Sequence, residues 1–183
     1  MEYEAAISKA WRDIESLTKE KKFSVKLLSD IYEVDLENKK VLSTSCNAPA
    51  QAFTAILTLH YLKEEIVGLP PVKGEWIAFR ELVGGQGYYQ AFKKRVIKRI
   101  EKKYGDNPDA LNDLVVRFEA RKSDLADVSV VIDVFNNVPV LIEIWRADDE
   151  FGPSVDILFD KSIDLIFCTE DIVVMSELVA SQI

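Results

Sequence analysis

Apolar residues recur along the chain at two periods, one typical of helices and one typical of strands. Steps of three and four residues predict amphipathic helices, whereas alternation or β-branched runs between turn residues predict strands. The predicted helices cover Tyr3–Lys22, Ala50–Ile66, Tyr88–Tyr104, Pro108–Glu119 and Thr169–Ala180, with a short helical turn at Ser24–Ser29. The predicted strands cover Ile31–Leu36, Val41–Thr44, Trp76–Phe79, Val128–Phe135, Val138–Trp145 and Ile157–Phe159.

Turn residues separate these segments and set their connections. Glu37–Lys40 joins the first two strands as a hairpin, and Asn136-Asn137 joins the two β-branched runs in the same way. Pro49 suits the first turn of the second helix, with Asn47 as a candidate cap, and Gly105 suits the end of the third long helix.

The order of these elements predicts an α+β fold. We expect a mainly antiparallel sheet, built from two hairpins plus one or two short strands and packed with about five to six helices. No repeat or long linker divides the 183 residues, so a single domain over residues 1–183 is expected.

Charge is distributed unevenly along the chain. The formal net charge is −8 and the pI is near 4.8, which argues against nucleic acid as a partner. Residues 1–105 carry a net charge of +4 and residues 106–183 carry −12. The basic middle and the acidic end are therefore expected to face each other, or to face partners of opposite sign.

Two cysteines, Cys46 and Cys168, lie far apart and outside any CxxC spacing. This usage indicates reduced thiols and a cytoplasmic protein. The first residues show no secretory signal, and no apolar run approaches the roughly 20 residues of a membrane span, so no membrane association is expected.

A run of carboxylates, Asp148, Asp149 and Glu150, follows the apolar strand that ends at Trp145. With Asp156 and Asp160 downstream, these side chains are candidates to hold a hard cation such as Mg²⁺ or Ca²⁺, although the spacing does not match an EF-hand. The alternative is that they cap the following turn or pair with arginines such as Arg80 and Arg146.

A second candidate site follows the short strand Trp76–Phe79, where Arg80 and Glu81 precede the loop Gly84–Gly87. A glycine-rich loop at a helix N-terminus presents backbone N–H groups to an anion, with Arg80 as a clamp for phosphate or carboxylate. The loop matches neither the Walker nor the dinucleotide pattern, so a plain flexible turn stays open. The basic segment Lys93–Lys103 lacks interleaved aromatics and is better explained as a solvated helix face or a protein-binding face than as a nucleic-acid surface.

The single histidine, His60, shares a helix face with Phe53, Ile56 and Leu57. A lone histidine there is typical of a core residue with one hydrogen-bonded nitrogen, and without a second histidine a zinc site is not expected. One imidazole suffices as an axial ligand of a tetrapyrrole-type cofactor, so His60 is the candidate cofactor-binding residue. No GxSxG or other nucleophile motif is present.

Several short segments, taken together, resemble the uncharacterised family called domain of unknown function 3786, of anaerobic bacteria and archaea. The matching segments are Leu59–Leu62, Trp76–Leu82 with Gly84, Gly85 and Tyr88, Phe92 with Arg95, Asp148–Phe151, Pro153-Ser154, Ile157–Asp160 and Thr169–Asp171. Gly152 stands where relatives commonly have proline. The resemblance implies no reaction, and the iron–sulfur module that some relatives carry has no matching cysteine cluster here.

Two functions of different classes are consistent with these residues. The first is a non-catalytic cytoplasmic module that binds a small anionic ligand or cofactor through Arg80, Glu81, Gly84, Gly85 and the turn Asp148–Glu150. The second is a divalent-metal-dependent enzyme that uses the Asp148–Asp160 carboxylates. A further alternative is a protein-interaction subunit in corrinoid-linked anaerobic metabolism.

Overall fold

A computed structural model describes residues 2–183 and shows an α+β fold in which the strands form two separate antiparallel sheets. The helices are α1 (Glu2–Leu17), α2 (Ala52–Val67), α3 (Gly85–Phe92), α4 (Lys98–Tyr104), α5 (Leu114–Arg117) and α6 (Thr169–Gln182). The strands are β1 (Lys22–Leu27), β2 (Asp30–Asp35), β3 (Lys40–Ser43), β4 (Ala48–Pro49), β5 (Trp76–Ala78), β6 (Arg121–Ser123), β7 (Val128–Phe135), β8 (Val138–Trp145) and β9 (Ser154–Asp160). Short 3₁₀ segments cover Phe79–Glu81, Pro108–Asp113 and Ile163–Leu165, and a π-helical segment, Lys93–Ile97, joins α3 to α4.

The first sheet is a meander in the order β1-β2-β3-β4. The prediction of a helical turn at Ser24–Ser29 is wrong, because Val25 and Leu27 alternate with more exposed residues and pair with β2. The prediction that Pro49 opens a helix is also wrong. Ala48-Pro49 pairs with β3, and α2 begins three residues after Pro49.

The second sheet has the order β5-β9-β8-β7-β6. The hairpin β7–β8 has the predicted bounds, with Asn137 at φ +59°, a left-handed conformation that asparagine tolerates. Strand β9 is longer than the three residues predicted and pairs with both β8 and β5, and the edge strand β6 was missed.

The core surrounds the second sheet, because its central strands β7 and β8 are buried at almost every successive position and therefore on both faces. Phe92 of α3 links the layers, because its ring stacks on Phe79 with centroids 3.9 Å apart and meets Phe159 of β9 edge-on at 6.4 Å. Helix α2 packs against α1 and α6, and Tyr61 of α2 stacks on Phe135 at 4.4 Å. This packing brings α2, α6 and the loop before α3 close together.

No helix among the described residues is both long and apolar enough to cross a membrane.

Candidate functional site

His60 lies where α2 meets the beginning of α6. Its Nδ1 atom is 2.8 Å and 3.0 Å from the two carboxylate oxygens of Asp171, which is 111 residues away in the chain. The side chain of Asp171 is only 11 % exposed, whereas the side chain of His60 keeps 34 % of its surface exposed. The pair therefore joins a partly accessible imidazole to a buried carboxyl group.

The carboxylate determines which nitrogen of His60 carries the proton. An ionised carboxyl group only accepts hydrogen bonds, so Nδ1 donates its proton to Asp171. The second nitrogen, Nε2, makes no hydrogen bond among the residues that the structure describes. Such a carboxylate–imidazole pair orients the ring and leaves Nε2 with a lone pair for a ligand.

Cys168 completes this cluster of three residues. Its Sγ atom donates to Oδ2 of Asp171 at 3.2 Å, so the same oxygen accepts bonds from His60 and from the thiol. Desolvation of the thiol and the adjacent carboxylate raise the pKa of Cys168 to about 12. The sulfur is consequently a neutral donor that stabilises Asp171, not a thiolate nucleophile.

Cys168 is therefore expected to be unreactive toward alkylating reagents at pH 8, because only about one thiol in 10⁴ is ionised. Both thiols are exposed, so access alone does not separate them. In the variant Cys46→Ser, iodoacetamide should nevertheless label the folded protein at least about 100-fold more slowly than it labels Cys168→Ser, because the pKa of Cys168 is raised. Urea-unfolded samples of both variants serve as the control and should react alike. Equal rates in the folded state would show that the thiol is not held by Asp171.

The glycine loop approaches the same cluster from the side of α3. Thr169, next to Cys168, donates its hydroxyl to the carbonyl of Val83, which directly precedes the loop Gly84–Gly87. Gly84 adopts φ +76°, a left-handed conformation that glycine favours. The loop is thereby attached to the beginning of α6.

The loop offers fewer free amides than the sequence suggests. The N–H of Gly85 donates to the carbonyl of Leu82 at 2.9 Å, and the N–H of Gly87 donates to that of Gly84 at 3.2 Å. Helix α3 also begins at Gly85, three residues earlier than predicted. Because these N–H groups already donate to carbonyl oxygens, few backbone donors of the loop remain to bind an anion.

Arg80 and Glu81 lie on the 3₁₀ segment before this loop, and each has a local partner. The guanidinium of Arg80 lies 5.1 Å from the ring centre of Tyr89, and its charge opposes the rise in pKa that burial causes at Asp156. Glu81 accepts the backbone N–H of Ala78 at 2.7 Å. Both residues thus stabilise the chain segment that enters α3.

The acidic turn lies on the connection between β8 and β9, where Pro153 approaches Gly105 at the end of α4. Oδ1 of Asp148 accepts the backbone N–H groups of Glu150 and Phe151 at 2.8 Å and 2.7 Å, and these bonds hold the pKa of Asp148 below its usual range. Asp149 and Glu150 are exposed. Arg146 pairs with Asp109 at 2.7 Å, so it does not bond the three acids.

Within residues 2–183, no hydrogen bond or ion pair joins the acidic turn Asp148–Glu150 to Arg80, Glu81 or the glycine loop. Asp160 is separate again, because it is buried and accepts bonds from Lys73, Gly74 and Ser162. The described residues also contain no group of three or more His, Cys, Asp or Glu side chains that could hold a metal ion.

The basic segment Lys93–Lys103 contacts the acidic end of the chain, in line with the uneven distribution of charge along the sequence. Arg95 pairs with Glu177 of α6 at 3.2 Å, and Lys103 donates to the carbonyl of Ile183. These contacts hold the π-helical segment and α4 against α6.

Sequence reasoning identified His60 but missed its two partners. Thr169-Glu170-Asp171 is typical of a helix start. That pattern accounts for Asp171 locally and gives no indication that Asp171 also bonds His60. Their separation of 111 residues has no local signal in the sequence.

The family described as Domain of unknown function (DUF3786) matches residues 10–182. This range contains His60, Cys168 and Asp171, the glycine loop and the acidic turn. No curated protein and no solved structure matches the chain.

Proposed function

The chain belongs to the family described as Domain of unknown function (DUF3786), and since that description carries no activity, we propose a function from the geometry of its residues. The protein is a non-catalytic cytoplasmic module that binds a small ligand or cofactor, with Nε2 of His60 as the principal contact. The observation that carries this proposal is the bond from Nδ1 of His60 to the buried Asp171, which orients the ring and leaves Nε2 without a partner among the described residues.

The surroundings of His60 favour binding over catalysis. A histidine base needs a nucleophile or substrate proton beside its free nitrogen, whereas Cys168 donates to Asp171 and its raised pKa keeps it neutral. One imidazole with a carboxylate behind it suits a single axial bond to a metal-bearing cofactor, or a hydrogen bond to a ligand. The first of these would be compatible with the alternative of a subunit in corrinoid-linked anaerobic metabolism.

A nearby loop offers a few backbone N–H donors to an anionic group of such a ligand. The loop Gly84–Gly87 is attached to α6 through Thr169, yet two of its N–H groups already donate to carbonyls. We therefore assign the anion-binding role of Gly84, Gly85 and Arg80 a secondary position behind His60. Cytoplasmic location is proposed on the ground that both cysteines are free thiols.

The proposal is tested with the compound that accompanies the natively produced protein. Native mass spectrometry and visible absorption identify this compound. His60→Ala should lose at least about 100-fold in affinity for that compound, and Asp171→Asn about 10- to 100-fold, because the ring loses its ligating nitrogen or its orientation. The exposed carboxyl variant Asp164→Asn is the matched control and should bind like the unmodified chain. Circular dichroism melts of each variant separate lost binding from lost folding.

Diethyl pyrocarbonate gives a second readout, since this chain has one histidine and the reagent acylates a neutral imidazole nitrogen. The bound compound should protect His60 from acylation. Unchanged affinity in His60→Ala, or acylation at the same rate with and without the compound, would refute His60 as the contact.

A further inference from the structure

The outer face of α6 forms a groove whose floor is apolar. The residues that line it recur at steps of three and four and therefore share one face of the helix: Glu170, Val173, Val174, Glu177, Leu178 and Ser181. The groove consists of two depressions of about 340 Å³ and 210 Å³ that share Arg95, Val173 and Val174. From Thr169 to Ser181 the helix extends over about 18 Å.

This face departs from what a surface helix requires. The inner face of α6 already supplies the core through Ile172, Met175 and Val179, which are all fully buried. A helix with only one covered face normally carries polar residues on the other. On this face Val173, Val174 and Leu178 are apolar and half-buried, packed against the edge of the core, so part of each remains accessible. Tyr3 and Tyr88, at 60 % and 54 % exposure, flank the groove.

One wall of the groove carries two arginines, Arg95 and Arg99. They belong to the π-helical segment and α4, which together contain seven Lys and Arg residues and the single acid Glu101. Arg95 pairs with Glu177, whereas Arg99 and, one turn further along α4, Lys102 are exposed and have no hydrogen-bond or ion-pair partner among residues 2–183. An occupant must therefore be apolar toward α6 and anionic toward this wall.

We propose that this groove binds an acidic amphipathic helix of a partner protein. A helix of about 12 residues matches the length of the groove, and its apolar positions at i, i+3, i+4 and i+7 would cover Val173, Val174 and Leu178. Its carboxylates would face Arg99 and Lys102. The interaction is separate from the ligand site at His60 and does not depend on it.

A fluorescein-labelled synthetic peptide of about 16 residues, with leucines at i, i+3, i+4 and i+7 and glutamates elsewhere, tests the proposal by fluorescence anisotropy. It should bind the full chain, and a peptide of the same composition with the leucine pattern scrambled should bind at least about tenfold more weakly. Arg99→Glu should weaken binding at least about tenfold, whereas the matched charge reversal Lys122→Glu, on the edge strand β6, should not. A rise in salt from about 50 to about 500 mM should also weaken binding, because exposed charges are screened.

Three results would overturn the proposal. One is equal affinity for the two peptides, or absence of binding at millimolar peptide. Another is equal affinity in Arg99→Glu and Lys122→Glu, which would place the peptide elsewhere. The last is a different occupant of the groove: binding of dodecanoate where the peptide does not bind would identify a small amphiphile. Dimerisation in the ultracentrifuge that Val174→Thr abolishes would identify a second copy of the chain.

Discussion

Replacing Gly85 by alanine is expected to lower the free energy of unfolding by at least about 3 kcal/mol. A Cβ atom at this position would lie 1.9 Å from the carbonyl oxygen of Phe79 and 3.0 Å from its carbonyl carbon. Both are backbone atoms, so relief of the clash requires movement of the 3₁₀ segment against α3. That movement would disturb the stacked rings of Phe79 and Phe92 in the core. Urea unfolding followed by circular dichroism measures the change.

Gly87→Ala is the matched control, two residues further along the same helix. A Cβ atom there meets nothing within 4 Å, and alanine favours a helix more than glycine does. This variant should range from unchanged to about 1 kcal/mol more stable. A loss below about 0.5 kcal/mol in Gly85→Ala would show that the backbone adapts and that the close approach is not structurally important.

Replacing Asp160 by alanine is expected to lower the free energy of unfolding by roughly 3–5 kcal/mol. The carboxylate has only 1 % exposure and accepts the backbone N–H groups of Lys73, Gly74 and Ser162 at 3.0, 2.6 and 2.9 Å. It also accepts the hydroxyl of Ser162 at 2.6 Å. Removal of the carboxylate leaves these donors without partners and releases the segment that leads into β5. Asp160→Asn should lower the free energy of unfolding less than Asp160→Ala does, because one oxygen acceptor remains. Some stability is still lost, because the NH₂ group of asparagine would face an N–H donor.

The contribution of Asp160 should depend on pH. Burial alone would raise its pKa, but the hydrogen bonds from Ser162, Lys73 and Gly74 outweigh burial and hold the pKa below the usual value of 3.8. A group whose pKa is depressed by folding contributes its full stability above the unfolded pKa and loses that stability as the pH falls through the folded pKa. The difference in stability between the unmodified chain and Asp160→Asn should therefore be constant near neutral pH and shrink below about pH 4.

Asp148→Ala is the control for Asp160, because Asp148 also accepts two backbone N–H groups within a turn. Asp148 is exposed, so water replaces its bonds, and the loss of stability should be much smaller than for Asp160→Ala. Chemical unfolding of the two variants between pH 3 and pH 7 gives both comparisons. Equal effects, or a difference at Asp160 that does not change below about pH 4, would contradict the assignment of a buried, ionised carboxylate.

The candidate site was only partly predictable from the chain. His60 and the glycines Gly84, Gly85 and Gly87 were recognised as candidates, because a histidine on an apolar helix face and three closely spaced glycines are local signals. The partners of His60 were not, since Asp171 and Cys168 come together with it only when α6 packs on α2. The acidic turn has three consecutive carboxylates in the sequence. In the structure, however, the carboxylate of Asp148 accepts hydrogen bonds from backbone N–H groups of its own turn.

The errors in the fold have a similar origin. Residues 22–27 contain too few apolar positions to separate a strand from a helical turn, and pairing with β2 determines the strand. Strand β6 has three residues, none of them strongly β-forming, and exists because β7 offers it an unpaired edge.

The sequence by itself determined the α+β class, the helices α2 and α6 and the hairpin β7–β8. Periodicity and turn residues such as Asn137 act within a few positions, so these elements need no distant partner to be recognised. Only the tertiary structure decided that the strands form two sheets, that His60 meets Asp171, and that α6 keeps an apolar outer face beside a basic wall. Those features depend on contacts between residues far apart in the chain, and the free energy of such contacts comes from packing and desolvation that no local pattern records.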